Sequence, residues 1–211
     1  MTQSPFPDVA GRMKGPLNAS TWDARWVEGN TPWDMGEPSP PMVAAVEDGL
    51  LTPPGRLLVP GIGAGHDARF LASRGFDVTG IDLSETAVEK ARGLAAADGV
   101  ELTVEVANLL ELPESFCDFD ALFEHTCFCA IDPALRDDYV NAAAGLLRPG
   151  GTLLGVFFIF TAEAGPPFGS SEEELRARFG TRFDIDIASA CENSAERRKG
   201  MEMLFRMTRR A

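Results

Sequence analysis

The 211-residue chain is short of positive charge, tyrosine, histidine and long apolar runs. Its 19 lysines and arginines face 32 acids, giving a formal net charge of −13. That balance argues against nucleic acid as a partner, because phosphate binding needs a positive footprint. The four cysteines (Cys117, Cys127, Cys129, Cys191) form no C-x-x-C pair and have no companion histidine at zinc-finger spacing. They read as reduced thiols in a cytoplasmic protein with no metal site. The longest dense apolar run, Leu153 to Phe160, is broken by Gly155. It is far short of the ~20 residues that span a bilayer, so a buried strand is expected and no membrane association. Met1 to Pro7 shows neither the charged nor the apolar region of a secretory signal. Internal repeats and low-complexity tracts are absent too.

What is present is unevenly placed. The three tryptophans, Trp22, Trp26 and Trp33, fall together ahead of the first obvious strand. Rings needed only as core filler would be scattered, so the cluster suggests an aromatic wall or lid. Residues 1–19, rich in Pro, Gly and Ser, are expected to be flexible. Residues 20–211 are expected to form one domain, with 20–52 as the N-terminal lid and its helices.

Along the chain, a helix from Ser20 places Trp22 and Trp26 on one face, and a short helix covers Met42 to Leu51. An alternation then sets in. Strands are expected at Arg56–Val59, Asp77–Ile81, Glu101–Ala107, Asp120–Glu124 and Thr152–Phe160. Helices at His66–Ser73, Ser84–Ala97 (Ser84 as N-cap) and Pro133–Leu147 separate most of them, the last stopped by Arg148-Pro149-Gly150-Gly151. Strands joined through helices imply parallel pairing by right-handed crossovers. After a helix at Ser171–Phe179, strands Arg182–Ile187 and Met201–Thr208 have no helix between them and should pair antiparallel at one side. The expected fold class is α/β: a doubly wound, mostly parallel, seven-stranded Rossmann-like sheet. A ligand would lie across the carboxyl ends of its strands, beside the first.

The turn Pro60-Gly61-Ile62-Gly63-Ala64-Gly65 sits where the first strand meets the first helix. Glycine permits the tight turn and a close ligand approach there. The spacing is not the G-x-G-x-x-G of pyrophosphate-binding turns. Asp82, 21 residues after Gly61, is placed to accept both hydroxyls of a ribose. A nucleoside without a pyrophosphate is indicated, and S-adenosylmethionine (SAM) fits. Asn108, at the end of the third strand, is either an adenine contact or a turn-former. Asp67 reads as a complement to its helix dipole, and His66 as structural.

Taken together, these segments resemble the thiopurine S-methyltransferase family of SAM-dependent methyltransferases. The resemblance is strongest to the halide and thiol branch, which methylates iodide, thiocyanate and hydrosulfide. The matching segments are W-x-x-x-W-x-x-G-x-T-P-W-D from Trp22 to Asp34, Leu58 to Asp67, Gly80-Ile81-Asp82-Leu83-Ser84, Phe128-Cys129-Ala130-Ile131-Asp132-Pro133, Leu147 to Gly151, Gly165-Pro166-Pro167-Phe168 and Arg198 to Glu202. The resemblance implies that Trp22, Trp26 and Trp33 line the cofactor pocket and that Gly61, Gly63 and Gly65 contact the methionine end. It also implies that Asp82 holds the ribose and that Asn108 and Leu109 flank the adenine. His125 stands in the cofactor and acceptor region, where plant relatives carry tyrosine.

Methyl transfer from a sulfonium to an anion is an in-line displacement that neutralises charge, so positioning and water exclusion are the protein's task. Aromatic faces suit it, holding a cation without competing as nucleophiles. Iodide, thiocyanate and hydrosulfide need no base. A neutral thiol would, and His125 is the candidate, its alternative being a hydrogen-bonded strand-end histidine. Arg198 is expected to hold an anionic acceptor, Arg197 to steer it or be a solvated charge. Phe160 is a candidate pocket ring and Pro166-Pro167 a stiff closing loop. The remaining partner would be a small-molecule acceptor, with the chain acting as a monomer. Rival readings are larger aromatic thiols or selenium and tellurium species as acceptors, and a SAM-binding module without turnover. A nicotinamide-dependent oxidoreductase is disfavoured by the glycine spacing and because Tyr139, the sole tyrosine, has no lysine four residues on.

Overall fold

The computed structural model describes residues 17–162 and 164–211. The flexible segment expected at 1–19 therefore lies almost wholly outside the described residues. Two helices come first: α1, Ala19–Val27, and α2, Pro40–Glu47. Asn18 caps α1 through its side chain, which accepts from Thr21 N, while prolines at the start of α2 lose only N–H groups that a first turn leaves unpaired.

The sheet and its covering helices follow in the order β1 (Arg56–Pro60), α3 (His66–Ser73), β2 (Asp77–Asp82), α4 (Glu85–Asp98), β3 (Thr103–Val106), β4 (Phe119–His125), α5 (Arg136–Leu146), β5 (Leu147–Phe158), α6 (Glu172–Phe179), β6 (Phe183–Ala190) and β7 (Glu202–Arg209). The seven strands lie side by side as β3-β2-β1-β4-β5-β7-β6. The first five are parallel, and β7 is antiparallel to both β5 and β6. The sheet is thus doubly wound about β1 and β4, as expected, and its carboxyl edge opens at that switch point.

Burial on both faces explains why β1 reads as an unbroken apolar run. Leu58 packs into one core with Leu122, Tyr139, Leu153 and Phe205, while Leu57 and Val59 pack into the other with Leu71, Val78 and Phe123. Ser84 caps α4, accepting from Ala87 N at 3.1 Å.

Several boundaries differ from expectation, for identifiable reasons. Leu147 to Gly151 is not a turn between helix and strand but part of β5. Phe119 pairs with Leu147 and Ala121 with Thr152, so residues 148–151 bulge out of the ladder. Gly150, at φ +76°, takes the left-handed position this needs, and a Cβ on Gly151 would sit 2.8 Å from the Arg148 carbonyl oxygen. The helix expected from Pro133 begins as a 3-10 turn over Pro133–Leu135, with the α-helix starting at Arg136. β3 is shorter than expected, and β6 starts one residue later and ends three residues further on, at Ala190, past an irregularity between Ile185 and Ile187. No helix among the described residues is long and apolar enough to cross a membrane.

Candidate active site

A cavity of about 730 Å³ opens at the carboxyl edge of β1, β2 and β4, under α1. It sits well within the range of small-molecule sites. Its floor is the turn after β1. Gly61 and Gly63 have φ of +62° and +53°, and a Cβ on either would press on Cys127 (3.1 Å) or on the Trp26 ring (3.3 Å). Those two glycines line the cavity. Gly65 does not; it is the N-cap of α3, where a Cβ would meet Ala91 of α4 at 3.2 Å. Its lack of a side chain serves the packing of α3 on α4 rather than the cavity surface.

Asp82 ends β2 and faces the cavity. Its Oδ2 accepts from Gly63 N and its Oδ1 from Ser84 N, both at 3.0 Å. Burial raises its pKa, against the pull of these N–H groups. Each oxygen keeps a lone pair, so the carboxylate is equipped to receive a vicinal diol. Asn108 begins the 3-10 turn Leu109–Glu111, its Oδ1 accepting from Leu110 N at 3.1 Å. The turn-forming role is therefore real, and the amide NH₂ is left over for the cavity that both Asn108 and Leu109 line.

The roof is aromatic. Trp33 packs edge-on against Trp22 (centroids 5.5 Å apart) and Trp26 (6.0 Å), and all three line the cavity. Lys90 lies over Trp26 at 5.0 Å. Sequence reasoning missed the residues that fasten this roof. Asp23 Oδ1 accepts from Ser84 Oγ (2.7 Å) and Thr86 N (2.9 Å), docking α1 on the N-terminus of α4. Asp34 is held by His66 Nε2 (3.0 Å) and Lys90 Nζ (3.1 Å), chiefly the first of which keeps its carboxyl far below the usual range. Asp67 does more than complement a dipole: its Oδ1 accepts from Ser39 N at 2.6 Å. For Asp23 and Asp34 the only local signal was the presence of acids inside the tryptophan motif; for Asp67 it was an acid in the first turn of α3.

The far wall is largely apolar, formed by Ile131, Phe158, Pro166 and Pro167 with Cys129; Arg198 is its buried cation, and the more exposed Asp132 borders the cavity beside Ile131. Phe160 is not part of it. That ring packs behind Phe158 at 5.8 Å and joins Cys129 and Met201 in a small core. The proline loop is tied down by Phe168 N donating to Cys129 O (2.7 Å) and by buried Arg136, which donates to Gly169 O (3.1 Å) and Phe168 O (3.3 Å). Beneath the wall, buried Glu124 accepts from Phe128 N at 2.8 Å and from Tyr139 OH. This pins the turn that carries Thr126, Cys127 and Cys129, with Thr126 at φ +65°. Burial pushes the Cys127 thiol well above its ordinary pKa and Cys129 up to about 12, so both stay protonated and poorly nucleophilic.

His125 and Arg198 meet outside the cavity. The His125 side chain is 8% exposed, with Nδ1 2.7 Å from Asp67 Oδ2 and Nε2 2.6 Å from Arg198 Nη1. It borders only a small hollow of about 60 Å³ behind the glycine turn. Neither ring nitrogen faces the apolar wall, which differs from the expectation of a base or cofactor contact there. Arg198 does line the cavity. Its guanidinium is 1% exposed and stacks on Phe158 at 5.0 Å, and its Nε is buried without a hydrogen-bond partner. Arg197 is not a free solvated charge, since it donates to Pro32 O (2.8 Å) and Asp34 O (3.0 Å). Among the described residues, no cluster of three or more metal-ligating side chains occurs.

Comparison with known proteins gives the same frame. Over 202 residues the chain is 34% identical to the probable thiol methyltransferase 2 of Arabidopsis thaliana, covering 94% of this chain and 89% of that one. It is 33% identical over 214 residues to the thiocyanate methyltransferase 1 of Brassica oleracea, with 96% and 90% covered. Among solved structures, the 1,6-didemethyltoxoflavin-N1-methyltransferase of Burkholderia thailandensis, with bound S-adenosylhomocysteine, superposes with a TM-score of 0.74. It shares 19% identity, with 95% of this chain and 94% of that one covered, and so supports the fold alone. The open glycine turn, the free lone pairs of Asp82 and the aromatic roof suit SAM as cofactor. The thiopurine S-methyltransferase family profile matches residues 17–210, and the chain belongs to that family of SAM-dependent methyltransferases.

Proposed function

We propose that this methyltransferase acts on a small, soft nucleophile that is already anionic when it binds: a halide, thiocyanate, hydrosulfide or small thiolate. One observation carries the reading. The apolar wall holds a single buried cation, Arg198, with an unpartnered Nε, while the candidate base His125 has both nitrogens engaged away from the cavity. The guanidinium is paired with Glu202 at 3.2 Å but keeps Nε free to donate, so it can hold an anion and cannot take a proton from a neutral thiol. The names of the two plant relatives, a thiol and a thiocyanate methyltransferase, agree with this class.

Bound SAM supplies an electrophilic methyl on a positively charged sulfur. Asp82 fixes the sugar, Asn108 and Leu109 border the base, and the tryptophan roof contributes cation–π attraction of roughly 0.5–2 kcal/mol. Phe158, Ile131 and the two prolines exclude water, so the anion reacts without its hydration shell. The protonated thiols of Cys127 and Cys129 leave the methyl group to the incoming acceptor. A second reading, methylation of a larger aromatic thiolate or a selenium or tellurium species, is favoured by the size of the cavity, about 730 Å³.

Headspace gas chromatography of the protein with SAM and iodide, thiocyanate, hydrosulfide or thiophenolate separates the two. Higher kcat/KM for the small anions, lost in Arg198→Met, supports the first reading. Turnover confined to thiophenolate supports the second. SAM binding without product from any acceptor contradicts both.

A further inference from the structure

Three consecutive carbonyls of the lid loop are taken by two consecutive arginines. Arg197 donates to Pro32 O and Asp34 O, and between them Arg198 Nη2 donates to Trp33 O at 2.9 Å. Trp33 is the ring against which both other tryptophans pack. The orientation of the Arg198 guanidinium therefore sets the position of the roof.

That orientation is fixed from behind. Nη1 of Arg198 is 2.6 Å from His125 Nε2 and 3.2 Å from Glu202 Oε1. A guanidinium has donors only, so Nε2 must carry a lone pair and the imidazole proton must sit on Nδ1. There Asp67 Oδ2 receives it at 2.7 Å, while Asp67 Oδ1 holds Ser39 N at 2.6 Å. One neutral imidazole thus reaches both ends of the lid loop: residue 33 through Arg198 and residue 39 through Asp67.

We propose that His125 is a positioning residue, neutral in the closed protein, whose Nε2 orients Arg198 to hold the tryptophan lid over the cofactor, and that a proton on Nε2 releases the lid. The charged or titratable groups facing it are Asp67 from α3, Arg198 from the turn before β7, Glu202 from β7, and Glu124, its neighbour on β4; His66 of α3 and Asp34 and Glu37 of the lid loop border the same small hollow. Burial and the Arg198 guanidinium oppose a second proton on the His125 ring, while Asp67 and Glu202 favour it. The direct contact decides the proton. Glu202 Oε1, at 3.8 Å, is too far to receive Nε2–H, and Arg198 already fills that direction at 2.6 Å. Once Nε2 is protonated, two donors oppose each other. The imidazolium takes Glu202, and the guanidinium withdraws from Trp33 O.

The inference needs only that the lid covers the cofactor cavity, so it stands or falls independently of which nucleophile is methylated. The composition makes it measurable: the chain has two histidines, and its three tryptophans are all in the lid. Two-bond ¹H–¹⁵N spectra of the full chain, labelled at histidine and bound to S-adenosylhomocysteine, report the charge and tautomer of each ring, and His66→Gln assigns them. Tryptophan emission and cofactor Kd are followed over the same pH series. The expected result is a neutral, Nδ1-protonated His125 at about pH 7.5. On acidification an imidazolium signal should appear together with a red shift in emission and a Kd weakened about tenfold, the size of one lost charge-assisted hydrogen bond. His125→Gln, whose amide oxygen can accept from Arg198, should keep the closed emission and abolish the acid transition. His125→Leu should show open emission at every pH. An imidazolium at His125 in the closed, cofactor-bound protein at about pH 7.5 overturns the proposal, and so does an acid transition that persists in His125→Gln. Should His125→Leu fail to fold, the native titration and the Gln variant still decide.

Discussion

Removing the carboxylate of Asp23 should open the lid without unfolding the domain. Asp23 lies between Trp22 and Trp26 and receives two hydrogen bonds from the start of α4, Ser84 Oγ at 2.7 Å and Thr86 N at 2.9 Å. Hydrogen bonds to a charged group contribute ~1.5–3 kcal/mol, but this carboxylate is only partly buried and water replaces much of what is lost. A net cost of about 1–2 kcal/mol for lid closure follows, or roughly a 5–30-fold weaker SAM Kd if binding requires the closed lid. Ser84 still caps α4 through Ala87 N, so Tm should stay near that of the native protein. Titration calorimetry of Asp23→Ala with SAM measures the loss, and Asp23→Asn, which keeps an accepting oxygen, should recover part of it. The Ser84 hydrogen bond first, then the Thr86 N–H, hold the Asp23 carboxyl below its ordinary pKa. A group depressed on docking favours the docked state above the ordinary carboxylate range and loses that contribution as pH falls through the depressed value. The effect should therefore be full at neutral pH. A Kd for Asp23→Ala within twofold of native would refute the reasoning.

Tyr139→Phe should destabilise the fold by about 1–3 kcal/mol in urea unfolding, because buried Glu124 loses the phenol that donates to it. Burial raises the pKa of Glu124 despite the hydrogen bonds that lower it, and loss of the Tyr139 bond raises it further. Stability contributed by a raised carboxyl is present below its unfolded value and is lost as pH rises through the folded one. The deficit of Tyr139→Phe should accordingly grow with pH. A second change, Pro166-Pro167→Gly-Gly, should raise the acceptor KM several-fold and leave SAM Kd unchanged, since both prolines line the apolar wall and glycine there adds conformational freedom. An unchanged acceptor KM would remove the loop from the acceptor site.

The legible parts of this protein were those encoded locally. The apolar run of β1, the glycine turn behind it, Ser84 three residues before the N–H it caps, and Asp82 at a strand end all follow from short-range pattern. What stayed hidden depends on pairing across the chain. His125 meets Asp67 from 58 residues away and Arg198 from 73, and those contacts turn a plausible base into a buried link. Asp23 reaches Ser84 across 61 residues, and Arg197 reaches the lid across more than 160. Spacing rules carry no information on such partners. The Phe158 and Phe160 rings illustrate a finer limit: both belong to the same apolar stretch, but only the three-dimensional end of β5 decides which one meets the cavity. The Arg148-Pro149-Gly150-Gly151 segment reads as a turn by composition, and becomes a bulge only because β4 supplies a pairing partner on either side of it.

The central claim, that the acceptor arrives as an anion and is held by Arg198 without a protein base, is tested most directly by the pH dependence of kcat/KM for a series of acceptors. Iodide and two or three small thiols of different acidity would be compared over the range in which SAM binding is constant. The account predicts that each thiol's profile rises through that thiol's own ionisation and levels off, while iodide shows no such limb. A single inflection shared by all the thiols, whatever their acidity, would mean that a side chain of the protein removes the proton, and would contradict the account.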